Sequence, residues 1–184
     1  MGMILIGITG TLGSGKGTVA EYLHMKHGFV YLSIRNFFAQ VVLREGKLVN
    51  RENVAATAKK MRAEHGPNFV LEEMLNRAGN ARKLVVESIR SVNEAKYLKS
   101  RGGVLWALDG DIRVRYNRVI KRAEANDSIS FEQFSANEAK ETSSEDPNES
   151  NLHAVRDMAD VVFDCNATKE ELFAKIDKTL LQMV

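Results

Sequence analysis

The sequence predicts an α/β fold in three layers, with helices on both faces of a parallel five-stranded sheet and a helical insertion at about residues 123–150. Three observations carry this. Five short apolar runs alternate with longer stretches of helical spacing. Each run is apolar throughout rather than on alternate residues, as in strands covered on both faces. And 184 residues, 44% of them hydrophobic, suit one domain, 1–184, with a full core.

The first strand is 3–9, followed by a helix over 15–27 (GKGTVAEYLHMKH) and a short strand over 29–33 (FVYLS). Helices follow over 35–45 and 51–64, the second with Asn50 as N-cap. Pro67 suits the first turn of the next helix, which ends near Gly79. The third strand, 83–88 (KLVVES), closes on an acid. Ser91 with Glu94 three residues on is a capping box for a helix over 92–101. A fourth strand spans 103–110 (GVLWALDG) and a charged helix 111–125. The last strand is 160–165 (DVVFDC), and Thr168 with Glu171 boxes the final helix, 168–182. Trp106 and Phe163 are core residues of their strands.

The insertion is polar and acidic, with a short helix from Phe131 to Lys140 and a turn at Asp146-Pro147-Asn148. It reads equally as a solvated excursion or as a lid over a site. Between 126 and 150 there are seven carboxylates, no arginine, and one cation, Lys140.

With 26 basic and 24 acidic residues the net charge is +2, which gives no electrostatic footprint for nucleic acid or a membrane surface. The single cysteine, Cys165, excludes an internal disulfide. The apolar start is too short to span a bilayer and lacks a secretory leader's features, so a cytoplasmic protein is expected. Four histidines and one cysteine form no recognisable metal pattern.

Ligands of parallel sheets bind at the carboxyl ends of the strands. There the chain places GITGTLGSGKGT, residues 7–18. A strand, then Gly10-Thr11-Leu12-Gly13-Ser14-Gly15-Lys16, then a helix, is a phosphate-binding loop in its required context. The glycines let successive N–H groups turn toward one anion, the helix adds its positive end, and Lys16 supplies a mobile charge for phosphate oxygens. The fold expected from this loop is that of the P-loop NTPases. The position after the lysine, where a hydroxyl commonly holds magnesium, is Gly17, and Thr18 follows.

That spacing resembles the adenylate-kinase type of loop, GxxGxGKGT. Nearly the whole chain resembles P-loop families described as nucleoside monophosphate kinase-like or dephospho-CoA kinase-like. The matching stretches are RENVAATAKKMRAEHGP, VVESIRSVNEA, DIRVRYNRVIKR and ISFEQF through EDPNESNL to MADVVF. The resemblance implies ATP as donor, with Mg2+ held largely through water and the nucleotide.

Glu87, at the end of the third strand, is placed to bind magnesium through water or to orient the attacking oxygen of an acceptor, and its position after an apolar strand favours this over a strand-end carboxylate capping something local. Arg90 resembles the arginine with which such kinases grip an acceptor phosphate. Ser33, Arg35 and Asn36 occupy the segment that contacts the acceptor in related kinases, with Asn36 where many relatives carry aspartate. Arg118 and Arg122, four apart on one helix face, match arginines at a lid root that meet the transferring phosphoryl group. Arg113 and Arg115 read as surface residues. Asn166, in Cys165-Asn166-Ala167-Thr168, matches a loop that touches adenine.

The expected activity is transfer of the γ-phosphoryl group of ATP to a phosphorylated small molecule of the (deoxy)nucleoside monophosphate type. Dephospho-CoA is the alternative acceptor. A nucleotide-binding regulatory protein with little turnover is the alternative of another class, supported by Asn36 and the arginine-free insertion.

Overall fold

The computed structural model describes residues 2–122, 129–146 and 149–183. Its order is β1 (Ile4–Gly10), α1 (Lys16–His27), β2 (Val30–Ser33), α2 (Ile34–Arg44), α3 (Arg51–His65), α4 (Phe69–Ala78) and β3 (Lys83–Glu87). Then come α5 (Val92–Ser100), β4 (Val104–Asp109), α6 (Ile112–Arg122), α7 (Phe131–Thr142), α8 (Leu152–Asp157), β5 (Val161–Asp164) and α9 (Lys169–Leu181). The five strands form one parallel sheet in the order β2-β3-β1-β4-β5.

Strand alternation sorts the core onto two faces. Leu5, Leu84, Val86 and Leu105 pack with Ile34, Phe38, Val70, Leu71, Leu98 and Val155, from α2, α4, α5 and α8. Ile6, Ile8, Val85, Trp106 and Phe163 pack with Val19, Leu23, Leu172 and Ile176, from α1 and α9. Gly7 keeps β1 close to α5: a Cβ there would lie 2.3 Å from Leu98 Cδ2.

The expected caps form. Asn50 accepts the N–H of Asn53, and Ser91–Glu94 and Thr168–Glu171 are complete capping boxes. Ser130 and Gln133 make another box, for α7. Two local expectations change. Pro67 lies outside α4, whose N-cap is Asn68, and α8 was not anticipated. Six residues are too few to show a helical period; only Asn151, accepting the N–H of Ala154, announces it. Residues 123–125 of the expected 111–125 helix, and Pro147 and Asn148 of the expected turn, lie outside the described residues.

Candidate functional site

Gly10, Gly13 and Gly15 hold φ of 141°, 79° and 93°, which side chains rarely adopt. Space is closed as well: a Cβ on Gly10 would lie 2.5 Å from the Leu108 carbonyl oxygen, and one on Gly13 2.5 Å from that of Arg115. The loop is thus pressed between the end of β4 and α6. Gly15, left-handed, is the N-cap of α1 and makes no side-chain cap bond, which leaves the positive end of that helix available to an anion.

Lys16 turns back across the loop and donates Nζ to the Thr11 carbonyl at 2.7 Å. It is buried, and burial, followed by the charge of Arg90, pulls its pKa from 10.5 down to about 7 against the opposing pull of Glu87 and Glu141. The hydroxyls of Thr9, Thr11 and Ser14 are buried without a hydrogen-bond partner. Buried polar atoms are normally paired, so the loop carries bonding capacity that the fold does not use.

Glu87 is buried at the end of β3, in register with Ile8 of β1 and Ser33 of β2. Its carboxylate accepts from the hydroxyls of Ser33 at 2.9 Å and Ser88 at 2.6 Å. Ser33 also accepts the N–H of Asn36 and so caps α2. Ser88 sits at φ 75°, with its N–H and that of Ile89 both donating to the Ile8 carbonyl. This left-handed turn carries the chain from β3 to Arg90. Tyr31, which sequence reasoning missed, joins the cluster: burial and then the charge of Glu87 raise its pKa, and its hydroxyl would be 3.9 Å from a Cβ on Gly17.

Arg90 is set by a buried ion pair. Glu94, at 0% exposure, accepts from Arg62 Nη2 at 2.7 Å and from the backbone N–H groups of Arg90 and Ser91. The Arg90 guanidinium then meets Glu141 of α7, Nη1 to Oε2 at 2.5 Å. The other oxygen of that carboxylate accepts from Arg51 Nε at 2.7 Å. Arg51 opens the stretch RENVAATAKKMRAEHGP but is given no role there, since its partner, Glu141, lies 90 residues away.

Arg115 corrects the surface expectation. It is buried, with Nε donating to the Gly110 carbonyl at 2.9 Å, Nη1 to the Leu12 carbonyl at 3.1 Å and Nη2 to Glu138 at 2.8 Å. A basic helix looks solvated on every face until its packing partner, here the phosphate loop, is known. Arg113 stays exposed, its guanidinium carbon 4.7 Å from the Phe131 ring centroid. Arg118 donates Nη2 to the Ala167 carbonyl at 3.4 Å, beside Asn166, and Arg122 is exposed and bonds back to the Arg118 carbonyl.

Asn166 accepts the N–H of Asp111 at 2.8 Å and borders an open cleft of about 460 Å³ with Asp109, Gly110, Arg156 and Asp164. Arg156 is paired with Asp109 at 2.7 Å. Arg35 and Asn36 are exposed on the first turn of α2. The fold therefore gathers the loop, Lys16, Glu87, Ser33 and Arg90, adds Arg51 and Arg115, and keeps Arg122, Arg35 and Asn36 on the surface.

The described residues hold no group of three or more His, Cys, Asp or Glu side chains that could cage a metal. A magnesium ion carried in by a nucleotide needs less, since it keeps several waters and takes one or two protein carboxylates. Glu87, a buried carboxylate whose charge reaches Lys16 of the loop, fits that role. Among the described residues no helix is long and apolar enough to cross a membrane.

Residues 6–144 match the AAA domain family. A UPF0200 protein of Pyrobaculum aerophilum is 30% identical over 183 residues, 97% of this chain and 98% of that one. One from Methanocaldococcus jannaschii is 31% identical over 144 residues, 76% of this chain and 73% of that one. Among solved structures, TT1252 from Thermus thermophilus superposes with a TM-score of 0.67 at 23% identity, covering 100% of this chain and 99% of that one. Shikimate kinase from Acinetobacter baumannii, in complex with shikimate, superposes with a TM-score of 0.60 at 18% identity, covering 98% and 94%. The architecture is thus the P-loop kinase-like α/β fold.

Proposed function

The chain belongs to the AAA domain family and to the UPF0200 proteins, and on that footing we propose that it transfers the γ-phosphoryl group of ATP to a small anionic acceptor, of the (deoxy)nucleoside monophosphate class. One observation carries the acceptor's charge: Arg51 and Arg90 converge on the two oxygens of a single carboxylate, within electrostatic reach of Lys16. A guanidinium pair so placed suits a phosphate as well as a carboxylate.

In this reaction an acceptor oxygen bonds to the γ-phosphorus while the bond from that phosphorus to the bridging oxygen breaks, and ADP leaves with the electron pair. Bound ATP and its magnesium supply the phosphoryl group and neutralise charge on it. The protein supplies position and preorganised charge, the larger part of catalysis in this chemistry. The loop N–H groups and Lys16 hold the phosphates of the donor. Arg90 and Arg51 hold the acceptor. Glu87, fixed by Ser33 and Ser88, would hold water on magnesium when the nucleotide brings it, or would orient the acceptor oxygen. Arg115 braces the loop at Leu12. Arg118 and Arg122 at the insertion's root, Asn166 for adenine, and Ser33, Arg35 and Asn36 near the acceptor complete the assignment.

A second reading has its own support. The group in the arginine pair is a carboxylate, and structural neighbours include shikimate kinases, one of them in complex with shikimate. On that reading the acceptor is an alcohol that carries a carboxylate. An ADP-release assay over nucleoside monophosphates, dephospho-CoA and hydroxy acids separates the possibilities. ADP formation that depends on a nucleoside monophosphate is expected. ATP binding without turnover on any acceptor would overturn the kinase assignment in favour of a regulatory nucleotide binder.

A further inference from the structure

Helix α7 carries one cation, Lys140, which is exposed. The helix brings two carboxylates one turn apart, and both bond arginines beside the phosphate loop. Glu138 takes Arg115, and Glu141 takes Arg51 and Arg90. The segment after α7 is tied to the same helix as Arg51: Lys59 of α3 pairs with Asp146 at 3.0 Å and Glu149 at 2.7 Å. Those surface pairs are exposed and contribute little. Glu141 is different, since only 16% of its side chain is exposed and both of its oxygens are engaged.

We infer that Glu141 is an internal stand-in for the acceptor's anionic group: it fills the Arg51–Arg90 cradle while the acceptor is absent, holds α7 down on the site, and leaves when the acceptor binds. The inference rests on the proposed function for the identity of the acceptor, though not for the cradle itself. Three observations support it. First, one carboxylate satisfies two guanidinium groups from separate elements, the geometry a small anion would adopt. Second, burial works against the charge of Glu141, yet the charge of Arg90 and the hydrogen bond from Arg51 outweigh it and hold the pKa down to about 2, so the occupant is an anion throughout the physiological range. Third, after burial, Arg90 and more weakly Arg51 lower the pKa of Lys16 while Glu87 and Glu141 oppose them, so the guanidinium pair and its carboxylate lie within electrostatic reach of the phosphate loop. An acceptor must then compete with Glu141 for its site, and its apparent affinity is lowered by the fraction of protein in the latched state.

The test is Glu141→Gln, which keeps shape and removes charge. Inorganic phosphate binding is titrated by calorimetry in the wild type, E141Q and the double variant E141Q/R51A. All three are made in a Lys16→Ala background, since Glu141 and Arg51 both act electrostatically on Lys16 and phosphate held by the loop lysine would respond to the same changes. E141Q is expected to bind phosphate about tenfold more tightly or better, the scale of one charge-assisted hydrogen bond no longer competed for, and E141Q/R51A to lose that gain. Unchanged or weaker binding by E141Q would overturn the inference and make Glu141 a fixed support for the arginines. Hydrogen exchange on the wild type covers the case of a poorly folded variant. Phosphate, against chloride at equal ionic strength, should accelerate exchange in residues 131–142, and unaltered exchange there would equally overturn it. A tightened E141Q with no transfer to any acceptor by the chain with Lys16 intact would refute the kinase assignment and leave the latch standing. Transfer by that chain without either effect would refute the latch alone.

Discussion

Lys16 Nζ lies 2.7 Å from the Thr11 carbonyl oxygen, so the phosphate loop holds its own lysine folded back across itself. The bond offsets part of the cost of burying that amine, and burial still lowers its pKa to about 7. Lys16→Ala should cripple phosphoryl transfer by the equivalent of about 3 kcal/mol in the barrier, while circular dichroism shows the fold retained. Wild-type turnover in that variant would end the loop assignment.

The same residue predicts a pH dependence of stability. Its pKa in the folded chain lies below the ordinary 10.5, so between about 7 and 10.5 the unfolded chain binds a proton that the folded chain does not. Stability from this group therefore rises with pH across that window and is level below it. Urea melts from pH 7 to 10 should show this rise in the wild type and a flatter profile in Lys16→Met. Parallel profiles would mean that the lysine is not desolvated.

Glu87→Gln keeps the shape of the side chain bonded to Ser33 and Ser88 but removes its charge. Turnover should fall and its dependence on magnesium concentration weaken, with ATP affinity changed less. Rates that match the wild type at every magnesium concentration would reduce Glu87 to a strand-end hydrogen-bond acceptor.

Arg90→Ala should raise the acceptor's KM sharply and leave the KM for ATP nearly unchanged, because its guanidinium pairs with Glu141 of α7 and not with the glycine loop. Loss of ATP affinity with acceptor affinity intact would move Arg90 to the donor side.

Arg62→Ala should destabilise the fold by about 3–5 kcal/mol, as expected when one partner of a buried ion pair is removed. It leaves Glu94 at 0% exposure without its guanidinium, while that carboxylate still holds the Arg90 and Ser91 N–H groups. Denaturant titration measures this directly; a loss below about 1 kcal/mol, the scale of an exposed pair, would show that the site relaxes around the missing charge.

Much of the architecture was legible in the order of residues alone. Strand runs such as 83–88, the capping boxes at Ser91 and Thr168, and the loop from Gly10 to Thr18 are local: each depends on neighbours within a turn or two, so spacing suffices to find it. Pro67 and α8 were misjudged for local reasons also, one lying outside its helix and the other too short for a period.

The sequence by itself determined a parallel α/β sheet with a phosphate loop at its carboxyl edge, and an acid and an arginine, Glu87 and Arg90, closing the third strand. Only the tertiary structure decided which charges face one another. Arg115 became a buried brace, Arg51 joined Arg90 on a single carboxylate, and the acidic insertion seated Glu138 and Glu141 beside the loop. The physical reason is range. Backbone conformation is set by nearest neighbours, whereas the partner of a charged side chain is set by which distant segments the packed sheet and helices bring together, and Arg51 and Glu141 are 90 residues apart.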